Sequence, residues 1–141
     1  MLEHDLELTE SEMHLYSRQI LLDGWDIEAQ EKLKLANVLI VGCGGIGCTT
    51  AELLARAGVG KISLIDADTV EISNLQRQIA YIAQDVGFYK SEILAKRLQT
   101  INPFIQVESY TSKLDENNAQ ALIAQQDLVL DGCDNFTTRY L

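Results

Sequence analysis

The sequence predicts an α/β fold built around a doubly wound, mostly parallel sheet. Short segments rich in apolar or β-branched residues alternate along the chain with stretches that carry apolar residues at helical spacing, the pattern of strands joined by crossover helices. A glycine-rich turn, VGCGGIG, joins the first of these strands to the next helix, and Asp66 ends the second strand. Together these features favour a Rossmann-like architecture.

Two N-terminal helices are predicted ahead of the sheet. Thr9 and Glu12 have the spacing of a capping box, so a first helix is expected to run from there to about Leu22. A second helix fits Asp26 to Leu35. Residues 1–36 are therefore assigned to an N-terminal helical segment, and residues 37–141 to the α/β domain.

The strands and helices of this domain follow in alternation. The run NVLIVG (37–42) is unbroken and β-branched, as in a strand buried on both faces, and the helix TTAELLARA after it stops at Gly58. The later elements are expected at KISLID (61–66, strand), SEILAKRLQTI (91–101, helix), IQVESY (105–110, strand), ENNAQALIAQQ (116–126, helix) and DLVLD (127–131, a last buried strand).

The composition narrows the class of protein. With 141 residues, 47% of them hydrophobic, the chain can bury one core and form about one domain. A formal net charge of -10 argues against a general binder of nucleic acid or of anionic membranes, because both need a basic face. The apolar runs are too short to span a membrane and the acidic N-terminus does not resemble a signal peptide, so a cytoplasmic location is expected.

The three cysteines, Cys43, Cys48 and Cys133, form no CxxC pair. Their spacing therefore predicts neither a disulfide framework nor a zinc site. We expect them to be small packing residues.

The turn VGCGGIG is the first motif that carries chemistry. Gly42, Gly44, Gly45 and Gly47 allow a tight turn, bare backbone beside a phosphate and close helix packing, at a helix end that attracts anions. A strand-to-helix turn without a ligand is the alternative. Asp66 at the end of the next strand is placed to accept both hydrogen bonds of a ribose diol, which predicts a nucleotide with an unmodified ribose.

The segment SNLQRQI (73–79) separates two kinds of nucleotide. The N–H groups at the start of a helix are largely sufficient to bind a dinucleotide pyrophosphate. This segment adds Asn74 and Arg77, and Lys90 follows in GFYKSE. Such groups suit a nucleoside triphosphate whose α-phosphate is attacked. The alternative is a solvated turn with surface cations, although the chain has only 11 lysines and arginines.

Two further segments carry candidate polar groups. DGCDN follows the last strand and puts Asp131, Asp134 and Asn135 at the carboxyl edge of the sheet, where a carboxylate can hold Mg²⁺. Asp131 is expected to belong to the strand end. In LYSRQILL, Arg18 stands on an otherwise apolar helix face, where a surface role with a snorkelling stem is the alternative.

These segments together resemble the MoeB/ThiF family of adenylyltransferases, the bacterial relatives of ubiquitin-activating enzymes. The matching stretches are YSRQILL, VLIVGCGGIG, AGVGKISLIDADTVEISNLQRQI, INPFI and DLVLDGCDNFTTR, in the family's order. The resemblance implies ATP and Mg²⁺ as cofactors, a homodimer, and a ubiquitin-like sulfur-carrier protein as partner. The implied reaction is adenylylation of the carrier's terminal glycine, with pyrophosphate as leaving group.

The resemblance also implies the roles of individual residues. Arg18, Arg77, Lys90 and Asp134 would be catalytic, with Asp134 organising Mg²⁺ and Arg18 reaching into the partner's site across a dimer interface. The residues expected to bind the nucleotide are Gly42, Gly44, Gly45, Gly47, Asp66, Asp68, Ser73, Asn74, Leu75, Gln76, Arg77, Lys90, Asp134 and Asn135.

A truncated relative of this family is expected, because the sequence ends at TTRYL, just after the fourth predicted strand. Residues 37–141 would then form an incomplete nucleotide-binding domain, without the family's zinc-binding cysteines, its later sulfur-transfer cysteine and most of its carrier surface. The sequence leaves open whether the parent serves molybdopterin or thiamine synthesis.

Two other classes also stay open: a catalytically inactive module that dimerises or binds nucleotide, and an NAD-dependent oxidoreductase, which would leave Asn74, Arg77 and Lys90 unexplained.

Overall fold

The computed structural model describes residues 7–133, and four strands form the sheet at their centre. These strands are β1 (Asn37–Val41), β2 (Lys61–Ile65), β3 (Gln106–Tyr110) and β4 (Leu128–Asp131). Their order is β3-β2-β1-β4, and every pairing is parallel. The predicted Rossmann-like fold is confirmed. Because β4 pairs with β1 rather than with β3, the strand order reverses beside β1, where such sheets open a crevice.

Helices precede the sheet and connect its strands. They are α1 (Glu10–Leu15), α2 (Ser17–Ile20), α3 (Ile27–Leu35), α4 (Gly45–Ala57), α5 (Lys90–Ile101) and α6 (Ala119–Ala124). Two 3₁₀ turns, Ile72–Asn74 and Ala83–Asp85, lie between β2 and α5. Within residues 7–133, no helix is long and apolar enough to cross a membrane.

Each face of the sheet has its own core, because side chains alternate along a strand. Ile40 and Leu64 point to the face that α4 and α5 cover, and pack there with Leu94 among others. Leu39 and Ile65 point to the opposite face, where they pack with Leu122 of α6. β1 and β2 are thus buried on both faces, as their continuous apolar runs predict.

The first predicted helix starts where expected but is shorter and interrupted. Thr9 and Glu12 form the predicted capping box, with 3.1 Å between the atoms of each hydrogen bond. The helix then breaks at Tyr16, where φ is -95° and ψ is 9°, and helical structure ends at Ile20 instead of Leu22. The break accompanies a tertiary contact: the buried Tyr16 hydroxyl accepts a hydrogen bond of 2.8 Å from Asn102 Nδ2.

The N-terminal helices are fixed to the far end of α4. Gln30 of α3 is fully buried and donates from Nε2 to the Ala57 carbonyl at 2.9 Å, and Gln19 of α2 donates to the same oxygen at 2.7 Å. Gly58 ends α4 with a φ of 101°, and a Cβ there would lie 2.6 Å from Gln30 Nε2. This glycine therefore meets two demands, a left-handed backbone and a close contact.

The prediction that DLVLD is a buried strand is wrong for the described residues. The strand forms, but Leu128 is 51% exposed and Val129 is 37% exposed, since β4 lies at the edge of the sheet. A continuous apolar run shows that both faces of a strand are suited to burial. It does not show whether other elements of the chain cover those faces.

We expect Glu52→Gln to lower the melting temperature at pH 7, with a loss in unfolding free energy below about 1 kcal/mol. Glu52 of α4 accepts hydrogen bonds from Arg97 of α5 at 3.0 and 3.3 Å, and from Arg56 at 3.0 Å. The bond from Arg97, more than any other contact, holds the pKa of Glu52 below its usual value. Its contribution is therefore complete above the unfolded pKa and is lost as pH falls through the folded one.

Melting curves of both proteins from pH 7 down to pH 3 test this, with Glu92→Gln as the matched control, since Glu92 is an exposed glutamate of α5. The difference between wild type and Glu52→Gln should shrink as the carboxylate protonates. A difference that stays constant down to pH 3 would contradict the assignment.

Candidate functional site

A cleft of about 840 Å³ opens at the carboxyl ends of the strands. Each strand contributes to its wall at or just after its last residue. The contributors are Val41 of β1, Ile65 and Asp66 of β2, Lys113 and Leu114 after β3, and Gly132 and Cys133 after β4. The cleft therefore lies where the strand order reverses, the position at which sheets of this kind bind ligands.

The glycine turn lets three backbone segments meet at the base of this cleft. A Cβ on Gly47 would lie 1.8 Å from the Gly42 carbonyl oxygen, and a Cβ on Gly42 would lie 2.8 Å from the Gly132 carbonyl. Gly42 also has a φ of 95°, which other residues rarely adopt. Gly42 and Gly47 are thus required by the packing of α4 against β1.

Gly45 differs from these two glycines, because a Cβ there would meet nothing within 4 Å. It is the first residue of the 13-residue helix α4, and no side chain caps that helix at Gly44. The first N–H groups of a helix have no partner within the helix. Bare backbone, open space and unpaired donors at one point form a site for an anion.

Asp66 connects β2 to the glycine turn. Its Oδ2 accepts a hydrogen bond of 2.7 Å from the Cys43 N–H, and its Oδ1 accepts one of 2.7 Å from the Asp68 N–H. The carboxylate therefore fixes the turn at the edge of the cleft, and its remaining lone pairs are available to a ligand. Burial, and next the Asp66 charge, raise the pKa of the Cys43 thiol far above its usual value, so Cys43 stays protonated and is not a nucleophile.

Two cations of the predicted set reach the cleft. Lys90, the first residue of α5, is only 6% exposed, and no carboxylate of residues 7–133 lies within ion-pair distance of its ammonium. Arg77 lines the cleft from the segment between β2 and α5 and donates to the Ser73 carbonyl at 3.1 Å. A buried ammonium to which the described part of the chain offers no counter-ion makes the cleft attractive to an anionic ligand.

Tyr81 sets the position of Lys90 relative to the glycine turn. Its buried hydroxyl donates a short hydrogen bond to the Cys43 carbonyl and lies 3.5 Å from the Lys90 carbonyl. Burial raises the pKa of the Tyr81 hydroxyl far above its usual value, so it remains a donor. The turn and the start of α5 are therefore held by one side chain.

The structure brings together many of the residues predicted to bind a nucleotide. Asn74, Arg77 and Lys90 line the cleft together with Gly42, Gly44, Gly45, Asp66 and Asp68. The buried Asn74 also has a structural role, because its Oδ1 accepts from the Glu71 N–H at 2.9 Å and shapes the 3₁₀ turn.

Other predicted residues are not on the cleft wall or are not described. Gly47 allows α4 to pack closely against the glycine turn, and Leu75 packs against the core. Ser73 and Gln76 are exposed and do not line the cleft. Arg18 is exposed on α2 and does not line the cleft. Asp134 and Asn135 lie outside the described residues. No group of three metal-ligating side chains is assembled between residues 7 and 133. The roles predicted for these residues stay predictions: nucleotide binding for most of them, and catalysis in the site of a partner subunit for Arg18.

Several residues of the cleft wall were not singled out from the sequence. They include Lys113, Gln78, Tyr89 and Thr69. Lys113 follows β3 by three residues, so its place after a parallel strand is a signal that could have found it. Gln78 is four residues after Asn74 and belongs to the same turn-rich segment.

The fold and the cleft define a class of protein: a Rossmann-like α/β protein with an open glycine turn at the base of a cleft. The family follows from comparison with known sequences. Residues 16–141 match the ThiF family, and the chain belongs to this family.

Curated relatives match almost the whole chain. A sulfur carrier protein adenylyltransferase of Thermus thermophilus is 44% identical over 133 residues, which are 94% of this chain and 49% of the relative. A molybdopterin-synthase adenylyltransferase of Escherichia coli is 48% identical over 133 residues, 94% of this chain and 53% of the relative. The chain thus spans about half the length of the curated relatives it matches.

Solved structures with the same fold include proteins with bound ligands. The E. coli tRNA N6-threonylcarbamoyladenosine dehydratase TcdA in complex with ATP superposes with a TM-score of 0.85 at 30% identity, covering 93% of this chain and 54% of that one. E. coli MccB with MccA-N7isoASN gives a TM-score of 0.80 at 32% identity, covering 94% of this chain and 39% of that one.

We expect Asp66→Asn to reduce the free energy of unfolding by about 0.5–1.5 kcal/mol, the value of one hydrogen bond lost at a partly exposed position. The amide retains one acceptor oxygen and turns an NH₂ group toward one of the two N–H groups that Asp66 now satisfies. Urea unfolding measures the change, with Asp23→Asn as the control because Asp23 is exposed. Equal stability of Asp66→Asn and wild type would show that the clamp on the turn contributes nothing.

Proposed function

We propose that this chain supplies the ATP-binding half-site of an enzyme that adenylates the C-terminal glycine of a ubiquitin-like sulfur-carrier protein. The observation that carries the proposal is the buried Lys90 without a carboxylate partner among the described residues, beside Arg77 and the open glycine turn. Two side-chain cations in addition to the helix N-terminus favour a triphosphate over a dinucleotide pyrophosphate.

The proposed reaction joins a carboxylate to a phosphate. A carboxylate oxygen of the carrier's terminal glycine attacks the α-phosphorus of ATP, a new P–O bond forms, and the bond to the β-phosphate oxygen breaks. Pyrophosphate leaves, and the carrier keeps AMP as an acyl-adenylate. The nucleophile is already ionised, so no general base is required.

The residues of the cleft would act through charge and position. The N–H groups at Gly45 and the cations of Lys90 and Arg77 would hold the phosphates and offset the charge that develops during attack. Asp66 would bind the ribose hydroxyls with the lone pairs that its two backbone bonds leave open. These are electrostatic and orienting roles, which suit a reaction between two anions.

ATP is supported as the nucleotide by the solved relatives. TcdA, at a TM-score of 0.85, is described in complex with ATP, and the same enzyme is described in complex with AMP. Mg²⁺ would offset phosphate charge, and we propose Asp134 as its ligand. The described side chains alone do not assemble a cation site.

The sulfur carrier is supported as substrate by the identity of the relatives. Proteins named for sulfur-carrier or molybdopterin-synthase adenylylation are 44% and 48% identical to this chain, whereas TcdA and MccB are 30% and 32% identical. Adenylylation of a carrier is therefore preferred to the reactions for which those two structures are named.

Arg18 would act on the site of a partner subunit. Gln19 beside it bonds the Ala57 carbonyl at the last residue of α4, while the glycine turn is at the first residue of the same helix. At the helical rise per residue, the two ends are roughly 18 Å apart. Arg18 therefore has no path to the cleft of its own chain, and a homodimer that brings it to the neighbouring cleft is part of the proposal.

The chain should bind Mg-ATP in preference to NAD. The N-terminus of α4 already suits the two charges of a dinucleotide pyrophosphate, so the two further cations, Lys90 and Arg77, favour the more highly charged triphosphate. Thermal shift with each ligand at equal concentration is the test, and AMP serves as a control for binding through the adenosine end alone. Greater stabilisation by NAD than by Mg-ATP would refute the adenylylation proposal and support an oxidoreductase.

In a homodimer of a protein that contains this chain and the second half found in its relatives, Arg18→Ala and Asp134→Ala should each lower the rate of ATP-pyrophosphate exchange by roughly 30- to 1,000-fold. Each loss should amount to about 2–4 kcal/mol of transition-state stabilisation. Mixed dimers should regain one working site, because the Arg18→Ala subunit keeps its own Asp134 and takes Arg18 from its partner.

Subunit exchange is verified by mass spectrometry of tagged subunits. A mixture of Arg18→Ala with the exposed-site variant Asp23→Asn gives the reference activity of a dimer in which one subunit lacks Arg18. If the two inactive variants exchange subunits and recover no activity, Arg18 acts within its own chain or has only a surface role.

A further inference from the structure

Gln30 of α3 is a fully buried carboxamide whose hydrogen bonds join three parts of the chain. Its Nε2 donates to the Ala57 carbonyl at 2.9 Å, and its Oε1 accepts from Trp25 Nε1 at 3.0 Å and from Gln19 Nε2. The carboxamide therefore connects α2, the loop between α2 and α3, and the last residue of α4. A buried amide destabilises a protein unless it is hydrogen-bonded, and this one is bonded at both of its polar atoms.

The Ala57 carbonyl does not require Gln30. This oxygen belongs to the last turn of α4 and has no partner within the helix, and Gln19 Nε2 already donates to it at 2.7 Å. What Gln30 adds is an acceptor for Gln19, so that each N–H bond of the Gln19 amide has its own partner. The Gln30 carboxamide thus fixes the direction of the Gln19 side chain.

The orientation of α2 depends on this bond between Gln30 and Gln19, because α2 is a single turn. It consists of the four residues Ser17–Ile20, and no side chain caps its N-terminus at Tyr16. A helix this short is not stable by itself. Within residues 7–133, Gln19 is the one member of α2 whose side chain makes a hydrogen bond.

Arg18 precedes Gln19 on the same turn, and its side chain is exposed. Its guanidinium forms no hydrogen bond or ion pair with residues 7–133, although the chain has 21 aspartates and glutamates. In the described part of the chain, no polar contact of its own therefore holds this arginine. Its direction follows from the backbone of α2, and so from the bond between Gln30 and Gln19.

We infer that Gln30 is a positioning residue for Arg18: by fixing Gln19 it holds α2 in the orientation from which Arg18 enters the cleft of a partner subunit. The catalytic part of the inference rests on the proposed function, in which Arg18 acts on that partner. The ordering of α2 does not, since its hydrogen bonds lie within one chain. Gln30 itself does not line the cleft of its own chain.

Gln30→Met in the 141-residue chain tests the ordering of α2, because methionine is similar in shape and forms no strong hydrogen bond. In ¹⁵N relaxation measurements, the backbone order parameters of residues 17–20 should fall from about 0.85 to below about 0.6. Those of residues 43–47 in the glycine turn should not change. The dissociation constant for AMP should change less than about twofold, because the cleft of the same chain is distant from the substitution.

Gln99→Met is the matched control. Gln99 is a glutamine of α5 that also donates to a backbone carbonyl, that of Ile105 at 2.6 Å, and its loss should leave the order of α2 unchanged. Gln19→Met provides a second variant if Gln30→Met does not fold. It breaks the same bond from a half-buried position and leaves the other two hydrogen bonds of Gln30 in place.

In the homodimer in which Arg18→Ala is assayed, Gln30→Met should slow ATP-pyrophosphate exchange roughly tenfold to hundredfold, the effect of a displaced catalytic group. Combined with Arg18→Ala, it should cause less than about twofold further loss, because Gln30 acts through that arginine. Losses that multiply in the double variant would show that Gln30 has an independent, structural role.

Mixed dimers assign the effect to the subunit that donates the arginine. Gln30→Met mixed with Asp134→Ala should recover one working site, because the cleft of the Gln30→Met subunit takes Arg18 from a subunit with an ordered α2. The double variant Gln30→Met/Asp134→Ala mixed with Arg18→Ala should stay roughly tenfold to hundredfold below the mixture of Arg18→Ala with Asp134→Ala. The reverse pattern would show that Gln30 acts on its own cleft, and would overturn the inference.

Unchanged order at residues 17–20 in both Gln30→Met and Gln19→Met would also overturn it. The proposed role of Arg18 fails separately, if Arg18→Ala and Asp134→Ala recover no activity when mixed. The catalytic part of the inference then fails with it, while the relaxation data still decide whether Gln30 orders α2.

Discussion

The close contact between α4 and β1 is the constraint on which the cleft depends. Gly47 lies against the Gly42 carbonyl at a separation that leaves no room for a side chain, and Gly132 after β4 touches the same point. This contact directs the first turn of α4 at the carboxyl edge of the sheet. The N–H groups at Gly45 then face open space, which gives the structure an anion site before any charged residue is considered.

The charged residues reach that site through a connection with little regular structure. The segment between β2 and α5 contains two 3₁₀ turns, yet it delivers Arg77 and Lys90 to the same cleft. Tyr81 holds the middle of this segment to the glycine turn, and Asp66 holds its start. The cations are therefore pre-positioned, as the proposed electrostatic role would require.

Local features of the fold could be predicted from the sequence, and features that depend on distant partners could not. The glycine turn, the Thr9 capping box and Asp66 at the end of β2 each follow from neighbouring residues. The break at Tyr16 depends on Asn102, far along the chain. The exposure of β4 depends on what lies beyond the edge of the sheet. A short apolar pattern contains no information about either the break at Tyr16 or the exposure of β4.

The candidate site shows the same division. The cations in SNLQRQI and GFYKSE were predicted because their chemistry is unusual in an acidic chain. Lys113 was missed although it follows β3 closely, because no motif marks it and the general position of a residue after a parallel strand was its one signal. Gln78 was missed because its place on the cleft wall becomes visible only when the packing around it is known.

The most direct test of the account is a titration of the ¹⁵N-labelled chain with AMP, followed by the backbone amide resonances. The account predicts the largest shift changes at residues 43–47 and 66–68, with further changes at Arg77, Gln78 and Lys90. Changes concentrated at the exposed edge strand β4, with the resonances of the glycine turn unaffected, would contradict the claim that the contact between α4 and β1 forms a phosphate site.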